Sequence, residues 1–508
     1  MPLPRLQAQP PLARGRTWKE FVSIPARQRS WCRRCCRARQ QLVRRRRRHQ
    51  VWVERGRPLC CHCSPPTASS SLPTAPRSCW HRCSHLARSS PRHVRSYDAR
   101  LGLDLSHFDR LVPLTPRLAS PPHRFLLQVK LSTKSFGSDA AAVAAQAFTA
   151  VKASLREVDL SDVLAGRPEA EALEALGIMC AALTADNGVT LDALDLSDNA
   201  LGEKGVRAAG AALQGQPHLR HLALQNDGIS EHAAAALHEL LASRGSMRCL
   251  RLYNNMTGDA GALHIAKLLS QCPQLEDLRL VSSRVQTEGG TALATALSGL
   301  SGKALTRLDL CDNGLAEECG APLAAVLTAH PRLSVVLLNE VSLCDDGVSA
   351  LCAGLHHHPA VSRLELCCNE ITPASAKNLA QVLPTLKHLT ALRLAENELG
   401  DDGVVLLAAA LLKASTPLEE LDFSTNEVHG RGARAVGRAA ASRKCAKLGL
   451  DGNAIGPAAL AAVAKAIAAA GGKLGSMEDN DPDDDDDDDA EAEDAGADVP
   501  LDMSKATL

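Results

Sequence analysis

Few residues of this 508-residue chain have the types and spacing that chemistry requires. The sequence contains no Gly-rich phosphate loop, no His and Glu spaced as in a zinc protease, and no Ser or Cys in a nucleophile elbow. The tract His356–His358 is interpreted as a solvated helix end rather than a metal site. No cofactor and no metal are predicted, and the protein is not expected to be an enzyme itself.

One arginine stands in a loop that departs from the pattern around it. The run 159–169 contains Gly166-Arg167-Pro168, a turn sequence that projects the arginine from the chain. Loops that interrupt a regular architecture are favoured positions for function. Arg167 is therefore a candidate site residue, with a solvated loop arginine as the alternative.

A second irregularity places an asparagine one residue early. In Gln225-Asn226-Asp227-Gly228, Asn226 precedes the position at which most copies of the pattern described below carry Asn. Its side chain is less needed for the local backbone and can point at a partner, with an ordinary turn asparagine as the alternative. Asn254 and Asn255 form a comparable doublet further along.

These candidates are positioned by a phrase of the form L-x-x-L-x-L-x-x-N-x-L, which repeats about twelve times between residues 126 and 470. Each copy predicts a short strand with inward leucines, followed by a helix whose apolar face recurs at i, i+3, i+4 and i+7. Asn at position nine is predicted to bond the backbone where the chain leaves the strand. Position nine falls at Lys134, Val163, Asn199, Asp227, Asn255, Ser283, Asn313, Val341, Asn369, Asn397, Asn426 and Asn453.

The period is near 28 residues, and only the step from Val163 to Asn199 is long. A strand and a full helix in each copy predict an α/β leucine-rich-repeat solenoid of the ribonuclease-inhibitor-like horseshoe class, with a parallel sheet inside and helices outside. Aromatic residues are 2% of the chain, so the predicted core is aliphatic. Solenoids of this class bind other proteins, which favours a binding function.

The net charge is zero, but basic and acidic residues are concentrated in different parts of the chain. Residues 1–100 contain 22 Arg, whereas residues 478–498 contain 14 acidic residues, including the run Asp483–Asp489. Blocks of like charge are normally disordered. The sequence therefore predicts an Arg/Cys-rich disordered extension at 1–120, a repeat domain at 121–475 and an acidic disordered tail at 476–508.

The 18 cysteines divide between these parts. Eight lie in the Arg-rich head, where pairs such as Cys32 and Cys35 have the spacing of zinc ligands but also fit chance in a biased segment. The others are scattered singly through apolar repeat positions, which fits a reducing compartment. The run Arg44–Arg48 could serve nuclear import or nucleic-acid binding, although nucleic acid is not the favoured partner. No apolar stretch is long enough for a membrane span.

Several segments carry a set of motifs: residues 157–162 with 165–168, 196–207, 226–230, 254–259, 394–403, 451–453 and 480–483. In these segments the chain resembles the Ran GTPase-activating proteins, especially the form of plants and green algae. The resemblance covers about residues 123–490. The combination of the Gly-Arg loop, the early Asn, the repeat count and the acidic run is more specific than the repeat alone.

The resemblance implies a function and a set of site residues. Such proteins bind Ran in its GTP form, with a Ran-binding protein as an optional third component, and accelerate GTP hydrolysis by ordering Ran's own catalytic glutamine. No activator arginine reaches the phosphates. The residues important for activity map to Arg167 and Asn226, both acting in trans on Ran. Neighbouring contact residues map to Asp198, Asn199, Asp227, Asn254 and Asn255.

The resemblance also implies a role in nucleocytoplasmic transport and a location in the cytoplasm, extending to the perinuclear region or nuclear envelope. The Trp-Pro-Pro motif that targets plant members to the envelope is not found in residues 1–120. The expected alternative function is a leucine-rich-repeat scaffold or inhibitor without GTPase activation, and a nucleic-acid-associated protein ranks third.

Overall fold

The structure is a computed structural model that describes residues 101–104, 127–356 and 358–481. The predicted extension lies outside these residues except for 101–104, and so does the run Asp483–Asp489.

The described part of the chain contains fourteen short strands. They are β1 (Leu101–Asp104), β2 (Leu127–Lys130), β3 (Leu155–Asp159), β4 (Ala193–Asp195), β5 (His221–Ala223), β6 (Cys249–Arg251), β7 (Asp277–Arg279), β8 (Arg307–Asp309), β9 (Val335–Leu337), β10 (Arg363–Glu365), β11 (Ala391–Arg393), β12 (Glu420–Asp422), β13 (Lys447–Gly449) and β14 (Lys473–Leu474).

Helices alternate with the strands from β2 onward. They are α1 (Ser138–Ala150), α2 (Glu169–Ala182), α3 (Gly202–Ala208), α4 (Gly210–Gly215), α5 (Glu231–Leu240), α6 (Gly258–Leu269), α7 (Thr287–Ser298), α8 (Gly320–Ala329), α9 (Cys344–Leu355), α10 (Pro373–Val382), α11 (Gly400–Lys413), α12 (Gly430–Arg443) and α13 (Pro457–Ala469). Two 3₁₀ turns lie at Glu317–Cys319 and Leu383–Thr385.

The strands form one parallel sheet whose spatial order is the chain order. The leucines of each repeat phrase point into the core: Leu194 and Leu196 are 1% and 0% exposed. On α6 the predicted apolar face, which includes Ile265 and Leu269, is buried. The apolar periods of the sequence therefore become the two sides of one continuous core, which is mainly aliphatic and also contains Phe136, Phe148 and Phe423.

Neighbouring strands are about 4.8 Å apart, whereas packed helices need about 8–10 Å. A stack with strands on one side and helices on the other therefore curves with the sheet on its inner side. The predicted α/β leucine-rich-repeat solenoid is confirmed, and the twelve predicted strands are β2–β13.

The sheet begins earlier than the sequence indicated. Strand β1 lies within the segment predicted as an extension and pairs in parallel with β2, from Leu101 opposite Leu127 to Asp104 opposite Lys130. The alternation of Leu101 and Leu103 suits a strand, but this copy lacks the rest of the repeat phrase. These four residues therefore belong to the sheet, and the rest of the predicted extension lies outside the described residues.

Each of the strands β2–β13 is followed by a residue with left-handed backbone at position eight of the repeat. These residues are Thr133, Asp162, Asp198, Asn226, Asn254, Ser282, Asp312, Glu340, Cys368, Glu396, Thr425 and Gly452, with φ between 50° and 68°. Asn and Asp tolerate this region better than most residues because their short side chains bond locally. Asn226 therefore stands at a conformation that every repeat shares.

The predicted asparagine ladder at position nine is confirmed. The Oδ1 of Asn199 accepts hydrogen bonds from the backbone nitrogens of Val163 and Leu164 at 2.8 and 3.1 Å. Its Nδ2 donates to the carbonyls of Leu160 and Leu196 at 2.8 and 2.7 Å. One amide thus satisfies backbone groups of two successive repeats, which locks their register.

Candidate functional site

The candidate residues lie in the loops that follow β3 to β6, at the edge where these parallel strands end. Backbone bonds staple each loop to the next: the nitrogen of Asp198 donates to the carbonyl of Gln225 at 2.8 Å, and that of Asn226 to Tyr253 at 2.7 Å. These bonds between repeats make the edge a firm platform for exposed side chains.

Three of the predicted residues form a hydrogen-bonded row on that platform. Asn226 donates through Nδ2 to Oδ1 of Asp198 at 3.1 Å, and Asn254 donates through Nδ2 to Oδ1 of Asn226 at 2.9 Å. All three are exposed and occupy position eight in successive repeats. We call Asp198, Asn226 and Asn254 the polar row. It presents amide and carboxylate groups in fixed orientation to anything that docks on the edge.

The other three predicted contact residues have buried side chains. Asn199, Asp227 and Asn255 are 8%, 0% and 3% exposed and belong to the ladder. The Oδ1 of Asn255 accepts from the backbone nitrogens of Asp227 and Ile229. Their side chains hold the backbone beneath the polar row.

Asp227 differs from its neighbours in the ladder because it is acidic. Burial raises the pKa of its carboxyl to about 8, and the nearby carboxylates of Asp198 and Asp195 add to the rise. The backbone N–H groups of Asn199 and Leu201 oppose this rise by bonding the charged form.

Arg167 is exposed, and the loop of the preceding repeat orients it. Its Nε donates to Oγ of Ser135 at 2.8 Å and its Nη2 to the Ser135 carbonyl at 3.1 Å. Oγ of Ser135 in turn donates to the carbonyl of Ala165 at 2.6 Å. Glu171, one helical turn on, pairs with Nη1 at 3.4 Å. The guanidinium is thus held against its own solenoid, in a loop that Gly166 turns with φ of 74°.

An open groove of about 810 Å³ joins this loop to the following one. Arg167 and Glu169 line one side of the groove, and Asp198 and Lys204 line the other. Lys204 and Glu169 form an ion pair across it. The groove therefore brings Arg167 and the first residue of the polar row to one surface, although the two lie in different repeats.

Three residues at this surface were not predicted from the sequence. Ser135 orients Arg167, and Tyr253 and Met256 are large apolar side chains with 48% and 55% exposure on either side of Asn254 and Asn255. Tyr253 is one of two tyrosines in the chain and stands just beyond its strand, which is the available sequence signal. Ser135 carries no such signal because its contact comes from another repeat.

No group of three or more His, Cys, Asp or Glu side chains within the described residues is arranged to hold a metal ion. The histidine tract is not uniformly solvated as expected: His358 is 5% exposed and its Nε2 lies 3.3 Å from the His330 carbonyl. In the same part of the chain, every helix is too short or too polar to cross a bilayer.

A comparison with protein-family models agrees with the repeat architecture. A leucine-rich-repeat family model matches residues 189–208, 385–408 and 414–437. An internalin from Listeria monocytogenes aligns with 75% of this chain and 91% of its own, at 17% identity and a TM-score of 0.43. NACHT, LRR and PYD domains-containing protein 3 of Macaca mulatta is 32% identical over 120 residues, which are 11% of that protein.

Two relatives from Arabidopsis thaliana are more similar. RAN GTPase-activating protein 1 is 46% identical over 106 residues, which are 21% of this chain and 19% of that protein. RAN GTPase-activating protein 2 is 50% identical over 101 residues, or 20% and 18% of the two chains. The match therefore spans about a fifth of the length of these relatives, and over that stretch this chain resembles Ran GTPase-activating proteins.

Proposed function

We propose that this protein is a GTPase-activating protein for Ran. It binds the GTP form of Ran through the loop edge that follows β3 to β6 and accelerates hydrolysis without catalysing a reaction of its own. The two Arabidopsis relatives and the polar row support this proposal. By keeping Ran in its GDP form outside the nucleus, the protein supports nucleocytoplasmic transport from the cytoplasm and the nuclear envelope.

The observation that carries the proposal is the placement of Asn226. Its side chain is exposed, its neighbours on both sides fix its orientation, and Asp227 has taken over the ladder position beneath it. An amide held in this way can bond and orient a group on a partner with little loss of side-chain entropy on binding.

The position of Arg167 supports activation through Ran's own machinery. Its guanidinium already bonds Ser135 and Glu171, so reaching a nucleotide would require it to break these contacts. In the proposal, Arg167 shapes and charges the groove beside the polar row, while Asn226 helps to order the catalytic glutamine of Ran. Tyr253 and Met256 supply apolar contact area at the other end of the row.

Single-turnover GTP hydrolysis by Ran, with and without the full-length protein, tests the proposal. We expect Asn226→Ala to reduce activation by about 100-fold, because it removes the oriented amide that helps to order Ran's glutamine, and Arg167→Ala by about tenfold, because it removes charge from the groove beside that amide. Asn187→Ala and Arg332→Ala are matched controls, since both residues are exposed and lie at the opposite edge, before the strands. We expect the controls to act like the wild type.

A binding arm separates activation from the scaffold alternative. Tyr253→Ala should weaken association with GTP-loaded Ran, while Leu412→Ala, which removes another exposed apolar side chain from helix α11, should not. Binding of Ran without acceleration of hydrolysis would establish a scaffold or inhibitor. Neither binding nor acceleration by the wild-type protein would refute the proposal.

A further inference from the structure

Asp227 occupies the ladder position of its repeat with half of its hydrogen bonding unmet. Oδ1 takes the acceptor place and receives the backbone nitrogen of Asn199 at 2.9 Å. Oδ2 is buried and has no hydrogen-bond partner among the described residues. Because Oδ1 stands where the repeats with Asn at position nine put the amide oxygen, Oδ2 stands where they put the donating Nδ2.

The polar ladder residues on either side of Asp227 donate a hydrogen bond from that place. Nδ2 of Asn255 donates to the carbonyls of Leu224 and Tyr253 at 2.9 and 3.3 Å. Ser283 has no amide, yet its hydroxyl donates to the carbonyls of Leu252 and Val281 at 3.0 and 3.1 Å. An ionised carboxylate cannot donate and would set a negative oxygen against carbonyl oxygens. A protonated carboxyl is the form of aspartate that fits.

The charges around Asp227 favour the same form. The preceding repeat faces it with two carboxylates, Asp195 and Asp198, and the following repeat faces it with the neutral amide of Asn255. Burial in the ladder disfavours ionisation further.

We infer that Asp227 is a positioning residue, whose buried carboxyl keeps its proton at neutral pH and donates it within the ladder, thereby holding Asn226 in place. The inference rests on the proposed function for its consequence in activation. The link is short: Asn226 precedes Asp227 directly on left-handed backbone. The Asp227 carbonyl also accepts from the nitrogen of Gly202 at 2.8 Å, which ties the same loop to the preceding repeat.

The dependence of unfolding stability on pH tests whether the Asp227 carboxyl keeps its proton. The pKa of this carboxyl rises from an ordinary 3.8 to about 8. Between these values the unfolded chain loses the proton that the folded chain keeps, so the contribution of this carboxyl to the stability of the wild type falls as pH rises from about 4 to about 8 and then levels. Asp227→Asn does not titrate. The thermal unfolding midpoint of Asp227→Asn should therefore rise relative to that of the wild type as pH rises through this window. Above a pH of about 8, the difference between the two midpoints should stay constant.

Asn397→Asp is the matched control, because it introduces the same carboxyl into a ladder position six repeats away. Its thermal unfolding midpoint should fall relative to that of the wild type as pH rises over a similar range. Its activation of Ran should be unaltered. A gap between Asp227→Asn and the wild type that is the same at every pH would overturn the inference.

The dependence of GTPase activation on pH tests whether the protonated Asp227 positions Asn226. With a pKa of about 8, the protonated fraction falls about tenfold between pH of about 7 and about 9. The ratio of Asp227→Asn to wild-type activity should rise by up to about tenfold over this range, whereas the ratio of Asn397→Asp to wild type stays constant. Taking ratios removes the pH dependence of Ran itself. A flat ratio for Asp227→Asn would show that the proton is structural only and would overturn the positioning role.

Hydrogen exchange of the segment 225–230 in the full-length protein gives a readout that does not need Ran. Above a pH of about 8, after correction for the intrinsic rate, exchange should be faster in the wild type than in Asp227→Asn. Equal exchange at every pH would overturn the inference even if activation is found. If no variant accelerates hydrolysis while exchange and stability follow the expected course, the proposed function fails and Asp227 still positions Asn226.

Discussion

At the scale of single residues, the candidate site is built from side chains that do not resemble one another in role. Asn226 and Asp198 are exposed and oriented, Arg167 is exposed and held back, and Asp227 is buried directly beneath them. Residue type alone did not distinguish the exposed side chains from the buried one. Position in the repeat does, because in the repeats of the polar row the backbone exposes the side chain at position eight and buries the side chain at position nine.

The left-handed backbone of Asn226 allows its side chain and its conformation to be tested apart. Asn226→Ala places an ordinary residue at φ of 55°, which costs about 1 kcal/mol of stability, whereas Asn226→Gly carries no such strain. We expect glycine to unfold at the same denaturant concentration as the wild type and alanine at a lower one. Both should lose activation equally. If Asn226→Gly retained activation, the amide would have no role in it.

At the scale of elements, a strand-loop-helix unit with Asn at position nine depends on that residue for its backbone hydrogen bonds. Asn397 is 5% exposed; its Nδ2 donates to the carbonyls of Leu366 and Leu394, and its Oδ1 accepts from the nitrogens of Asn369 and Ile371. Removing this amide leaves several buried backbone groups without partners.

We therefore expect Asn397→Ala to reduce the free energy of unfolding by about 3 kcal/mol, measured by denaturant titration. Asn187→Ala is the control, because Asn187 is exposed and its Nδ2 makes one side-chain bond, to the Ala181 carbonyl at 2.8 Å. The control should lose less than about 1 kcal/mol. Similar small losses in both would mean that the ladder contributes little to stability.

The elements themselves were predictable because they follow from a period. Leucine spacing indicated the strands and the buried face of α6, and turn chemistry indicated the ladder. The helix expected after Gly202 is interrupted between α3 and α4, and the apolar spacing of the sequence does not predict this interruption. The contact of Arg167 with Ser135 escaped prediction because it joins loops 32 residues apart. The burial of Asp227 escaped it because an acidic residue among turn residues suggests exposure.

At the scale of the whole molecule, charge varies along the solenoid. At position ten of the repeat, the repeats of β10 to β12 carry the exposed residues Glu370, Glu398 and Glu427, whereas the repeats of the polar row carry Ala200, Gly228 and Met256. The acidic run of the tail adds negative charge in the sequence after the last repeat. A long-range field of this sign steers basic partners toward the protein and raises the association rate more than the affinity.

Replacing the run Asp483–Asp489 by serine should therefore slow association with Ran at low ionic strength. The difference should fade above about 0.1 M salt, where the Debye length falls to about 10 Å or less. Stopped-flow binding over a salt series measures this effect, and the unaltered hydrolysis rate of the preformed complex is the internal control. Slowing by the same factor at every salt concentration would rule out steering.

The hydrogen bonds between neighbouring loops also affect how the number of repeats can change during evolution. The hydrogen bonds that orient Arg167, Asn226 and Asn254 are made within a repeat or to an adjacent one. A duplication or loss of one unit of about 28 residues beyond Ser283 would therefore leave the polar row as it is. The solenoid can lengthen or shorten at its far end by unequal recombination while its working edge is inherited intact.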